Sequence, residues 1–217
     1  MIKLYYLVLI NPEKYIPLAS SRSPFILFIT ALVMSYIQIL IVSFIPLNLS
    51  TAGTQGVTSI LSNEMLLILI PLYEELIFRR PLKISGLHIQ ASVSLVVSSL
   101  LLVLINATGI RMIPFSSYHA YALILTIPIF LILKRFEWSE LERQLQKNYN
   151  AFFYSSIGLF AAIHFNYQPI SVQAVAIYLI YGYSLSFIRV STNFFNAVAL
   201  HFLFLLPFYF LNHFSGQ

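Results

Sequence analysis

Between Arg22 and Glu64 the chain carries no charged residue, and 24–47 is apolar over a length that crosses a bilayer as a helix. A span of that kind leaves the backbone little choice. In hydrocarbon every N–H and C=O must be satisfied within the protein, which restricts spanning structures to helices and closed barrels. Further apolar stretches follow at about 62–80, 87–105, 118–133, 151–165, 170–188 and 193–211. Polar, turn-rich 48–56 and the link 166–169 separate neighbouring stretches. The segment 136–150 is different: it is polar and charged, with Trp138, Leu141 and Leu145 at i, i+3 and i+7, the pattern of an amphipathic interfacial helix. The expected fold is all-α, a polytopic transmembrane helix bundle of about seven spans plus that interfacial helix. It forms a single membrane domain over 1–217.

Composition agrees. The chain is 59% hydrophobic and 9% charged, with a mean hydropathy of +0.85, against about 25% charged in soluble domains. It has no Cys, which excludes disulfides, thiolate nucleophiles and Cys-ligated metals. It has no Asp, so the side-chain carboxylates are seven Glu. The net charge of +5 reads as topology rather than nucleic-acid binding. With the N-terminus in the cytoplasm, every Lys and Arg except Arg111 falls on the cytoplasmic side. The C-terminus then lies outside. Residues 1–10 lack a small-residue cleavage site and do not read as a removed signal peptide.

Against this background five residues stand out. Glu74, Glu75 and Arg79 lie near the end of the second apolar stretch, His164 ends the fifth, and His201 lies within the seventh. A charge at mid-membrane costs about 2.5–3.5 kcal/mol even on the forgiving insertion scale, so such residues are usually functional. Glu75 and Arg79 are four apart and share a helical face, as a snorkelling interfacial ion pair or as part of a site. Glu74 points about 100° away, and its i+4 neighbour is Phe78 rather than a base. Pro71, three residues earlier, favours a kink there. Phe160 is four residues before His164 and can brace its ring. Each His taken alone also reads as a satisfied core residue. Together, a carboxylate and a His can share a water and take its proton, while a second His stabilises an oxyanion. Zinc-protease, phosphate-loop and serine-elbow motifs are missing. Glu and His also ligate zinc, but nothing in their spacing demands a metal, and no cofactor is expected.

Three motifs in this order carry a resemblance. Glu74-Glu75-Leu76-Ile77-Phe78-Arg79, Phe160-Ala161-Ala162-Ile163-His164 and His201 resemble the EExxxR, FxxxH and HxxxN motifs of the CAAX protease and bacteriocin-processing (CPBP, or Abi) family. The resemblance covers about 65–205, and Ile180 to Tyr183 with Ile188 and Arg189 resemble the helix before the last motif. It implies an intramembrane glutamate-type endopeptidase acting on a membrane-associated peptide or protein near the cytoplasmic face, with the lipid bilayer and the substrate as partners. Glu74 would activate water, His164 would share that water, Glu75 and Arg79 would support them, and His201 would line an oxyanion hole. Two departures stand out. The family's final Asn or Asp is Leu205 here, and two apolar stretches are inserted between Arg79 and His164. Leu205 fits a second reading, a catalytically degenerate member acting as a binding, immunity or regulatory protein. A proton or solute carrier would use the same residues as a relay, but the internal repeats common in carriers are not seen.

Overall fold

Asn11 divides the first twenty residues into two helices, α1 (Ile2–Ile10) and α2 (Pro12–Ser20). Its backbone leaves helical geometry, its side chain accepts a hydrogen bond from the Lys14 amide at 3.2 Å, and Pro12 starts the new helix without a free N–H. The computed structural model describes residues 1–43, 64–107, 118–164 and 172–214. The remaining helices are α3 (Pro24–Ser43), α4 (Glu64–Glu74), α5 (Gly86–Ala107), α6 (Tyr118–Leu133), α7 (Ser139–Lys147), α8 (Tyr149–His164), α9 (Val172–Ser191) and α10 (Phe194–Phe214). A π-helical turn, Glu75–Arg79, and a 3₁₀ turn, Arg80–Leu82, continue α4. Among the described residues there is no strand. The loop 48–56, Arg111 and the link 166–169 lie outside them.

Helix α9 is the axis of the fold. It packs against α3, α8 and α10 and also touches α1 and α2, and 182–191 is buried without a break. Ser184 explains how α1 docks on it. Its hydroxyl lies 2.6 Å from the Tyr5 hydroxyl and accepts from Ser35 at 2.6 Å, while the Tyr183 hydroxyl donates to the Tyr5 carbonyl. A buried tyrosine is therefore held at both its backbone and its ring. On the other side Gly182 lets α8 approach closely. A Cβ there would come within 3.1 Å of Phe160 and 3.2 Å of Ile157.

Helices α5 and α6 form their own small apolar cluster of Leu95, Leu102 and Ala122. Hydroxyls stitch it together: Ser98 and Thr126 lie 3.1 Å apart, and Tyr73 on α4 lies 2.5 Å from Ser99. Three helices are long and apolar enough to cross a membrane, over Pro24–Val42, Gly86–Ile105 and Val172–Ser191. Ala120–Leu133 and Phe194–Pro207 are shorter apolar segments. Ile124, Ile127 and Leu131, at helical spacing on α6, are all exposed, an apolar outer face that suits lipid rather than water. Helix α7, containing Leu141 and Leu145, buries none of its residues.

Gly182→Leu forces a larger side chain into the α8–α9 contact beside Phe160. Overpacking of this kind costs about 1–3 kcal/mol. The expected outcome is a lower midpoint of thermal unfolding in detergent than wild type, with the site helices displaced first.

Candidate active site

The departure from α geometry falls on the charged motif itself. Pro71 sits within α4, and the widened turn begins four residues later, at Glu75. Here the Arg80 amide reaches back five residues to the Glu75 carbonyl. Such π-turns are frequent at functional sites. A widened turn leaves carbonyls in need of partners, and three helices supply them. Ser92 of α5 donates to the Leu76 carbonyl at 2.6 Å and Ser156 of α8 to the Phe78 carbonyl at 2.5 Å. From α9, Arg189 donates to the carbonyls of Arg79 at 3.1 Å and Arg80 at 3.2 Å.

Glu75 and Arg79 form an ion pair with no exposed surface on either side chain, Nη1 to Oε1 at 2.8 Å. The Phe160 ring lies under the guanidinium, 3.9 Å from its centroid, a cation–π contact strengthened by the loss of water. Phe160 also meets Phe78 edge-on and packs against His164 with ring centroids 4.5 Å apart. It therefore braces the imidazole as its spacing suggests, and supports the arginine as well.

The two histidines close the site. His164 Nδ1 lies 2.7 Å from the Phe160 carbonyl, and His201 Nδ1 lies 3.2 Å from Glu75 Oε1. A carbonyl and a carboxylate only accept, so both Nδ1 atoms carry the proton. Both Nε2 atoms then face one group. His164 Nε2 is 3.7 Å from Glu74 Oε1, and His201 Nε2 is 3.6 Å from Glu74 Oε2. These separations exceed a direct hydrogen bond, and at ordinary lengths of about 2.8 Å a water to one side of the line can donate to both the carboxylate and the His164 nitrogen. The Glu74 side chain is 13% exposed and that of His164 21%, whereas Glu75 and Arg79 are sealed. Accessibility thus separates the two glutamates.

All six residues singled out in the sequence come together: Glu74, Glu75, Arg79, Phe160, His164 and His201. The sequence gives no sign of one feature: His201 lies between both carboxylates, Nδ1 toward Glu75 and Nε2 toward Glu74. Tyr178 is new. It stacks on His164 with centroids 4.4 Å apart and planes inclined by 28°, and it lies beyond the 166–169 link, with no spacing signal to reveal it. Ser156 did carry such a signal, because 156, 160 and 164 share one face of α8. Leu205, half-buried, lies one turn beyond His201. His119 and His213 lie outside the side chains described. His88 is elsewhere, with Nδ1 against the Lys83 carbonyl at 2.6 Å. Among the described residues no three His, Cys, Asp or Glu side chains are arranged to hold a metal ion. No family model, curated protein or solved structure matches the chain.

Removing Arg79 strands a fully buried carboxylate, a change that typically costs about 3–5 kcal/mol. Glu74→Gln leaves the Glu75–Arg79 pair intact. Folded yield in detergent, read by size-exclusion chromatography, should fall sharply for Arg79→Ala and little for Glu74→Gln.

Proposed function

We propose that the chain is an intramembrane glutamate-type endopeptidase of the CPBP kind, cleaving a membrane-associated peptide or protein near the cytoplasmic face. One observation carries this reading: the Nε2 atoms of His164 and His201 both face the partly accessible Glu74 carboxylate. A water donating to Glu74 and to His164 Nε2 loses its proton to Glu74 as its oxygen attacks the scissile carbonyl carbon. The tetrahedral intermediate places its negative oxygen toward His201. Because His201 gives its Nδ1 proton to Glu75, it donates to that oxygen only when Nε2 carries a proton as well. Glu74 then passes its proton to the leaving amine, and the products are a carboxylic acid and an amine. Glu75 and Arg79 hold the geometry, and the reaction calls on no cofactor.

The accompanying topology has seven spans: α3, α4 with its π-turn, α5, α6, α8, α9 and α10. Helix α7 lies at the interface, the N-terminus is cytoplasmic and the C-terminus outside. The chain contains no Cys, so single-cysteine labelling tests this directly. Ser139→Cys should react with an impermeant maleimide only after the membrane is opened, and Gln217→Cys without opening it, in right-side-out vesicles.

Leu205 favours a second reading, a scaffold that binds a membrane partner without turnover. Cleavage of a membrane-peptide library by purified protein separates the two. A peptidase with one oxyanion donor missing should cleave slowly, lose all cleavage in Glu74→Ala, and gain up to roughly 10²–10³ in turnover in Leu205→Asn. Cleavage that survives Glu74→Ala would sink the mechanism. No cleavage by wild type or Leu205→Asn, with biological activity intact in Glu74→Ala, would favour the binder.

A further inference from the structure

Beside the π-turn, outside the Glu–His site, positive charge collects where four segments meet: the 3₁₀ turn, the start of α5, the end of α9 and the start of α10. Arg80 and Arg189 flank the same ring, each guanidinium 5.8 Å from the centroid of Phe194. Lys83 donates to the Thr192 carbonyl. His88 sits beside the group, its Nδ1 against the Lys83 carbonyl. Among the described residues none of the three strong cations has a carboxylate within ion-pair distance. The carboxylate of Glu142 approaches Gly86 instead, and Arg79 nearby is already paired with Glu75.

We propose that Arg80 and Lys83, backed by the charge of the buried Arg189, form a binding site for the phosphate of an anionic phospholipid. Part of the cluster has a structural role: Arg189 and Lys83 satisfy carbonyls at helix ends. That role does not account for Arg80, whose side chain makes no hydrogen bond among the described residues, nor for three like charges set together at mutual cost. Burial and the adjacent Arg189 charge both push the Lys83 ammonium's pKa down, a cost that an anion between them removes. Arginine forks and a lysine ammonium are the usual partners of phosphate. The neighbours indicate a lipid rather than free phosphate. Leu87, next to His88, is 57% exposed, and Phe195, next to Phe194, is 78% exposed. Apolar surface beside the cations suits acyl chain below a headgroup, and anionic lipid on the cytoplasmic leaflet attracts such basic groups.

The inference rests on the chain being embedded in a membrane and not on its being a peptidase. The full-length protein is reconstituted in phosphatidylcholine vesicles with and without phosphatidylglycerol, solubilised gently, and its retained lipid counted by native mass spectrometry. Wild type should keep phosphatidylglycerol in preference to phosphatidylcholine. Arg80→Gln with Lys83→Gln should weaken that retention by roughly 30-fold, and Arg143→Gln with Lys147→Gln, exposed cations on α7, should leave it unchanged. Arg80→Gln alone removes no side-chain hydrogen bond among the described residues, so it reports even where the double variant folds poorly, and it should show a partial loss. Inorganic phosphate added to phosphatidylcholine vesicles should raise thermal stability far less than phosphatidylglycerol does. Retention unchanged in the Arg80 variants, equal loss in the α7 variant, or equal stabilisation by inorganic phosphate would each overturn the proposal. Failure of the chain to enter vesicles at all would instead overturn the membrane reading beneath it.

Discussion

Glu75 and Arg79 are ionisable side chains with no exposed surface, set in one of the most apolar parts of the chain. A buried pair of this kind gains little over two well-packed apolar residues, but it cannot be half removed without leaving a charge in low dielectric. The surroundings reflect that. Phe160 sits against the flat face of the guanidinium, His201 donates to the carboxylate, and serines from α5 and α8 with Arg189 from α9 hold the widened backbone turn that carries the pair. Four other helices, α5, α8, α9 and α10, are therefore tied to a single turn of chain.

The same pair sets the properties of the neighbouring glutamate. By occupying His201 Nδ1, Glu75 turns the opposite edge of that ring toward Glu74. The Phe160 carbonyl does the same for His164. Neither imidazole can offer Glu74 its other nitrogen without breaking a hydrogen bond. This is orientation by outer partners, familiar where histidines ligate metals, achieved here with a carbonyl and a carboxylate. Glu75 itself is too enclosed to meet a substrate.

Much of this could be read from residue order. Apolar runs marked the helices, and α6 begins and ends where its pattern predicts, at Tyr118 and Leu133. The i, i+4 spacing of Glu75 with Arg79 and of Phe160 with His164 gave real contacts, because such pairs are local and owe little to the rest of the fold. The long-range geometry was less legible. The carbonyls of the widened turn at Glu75 are met by hydroxyls on two other segments and by the Arg189 guanidinium on a third, and Ser92 is unremarkable in sequence. Pro71 drew attention toward a kink that is not where the helix changes character. Tyr178 reaches His164 from another helix, and His201 touches two carboxylates only because α10 passes both. The division of 1–20 into two helices turns on Asn11 and Pro12, a cap signal outside the apolar runs.

The four-residue spacing of Glu75 and Arg79 also bears on how such a chain is made. A polypeptide that enters the membrane from its N-terminus delivers α4 before α8, α9 or α10 exist. Because the acid and its base lie on one turn, they can neutralise each other as soon as that turn forms, without waiting for a partner. Glu74 is in the opposite position: both of its facing groups are contributed by helices synthesised later, ninety and more residues downstream by their numbers, His164 and His201. The nascent chain thus carries a charge that is quiet from birth next to one that is completed last.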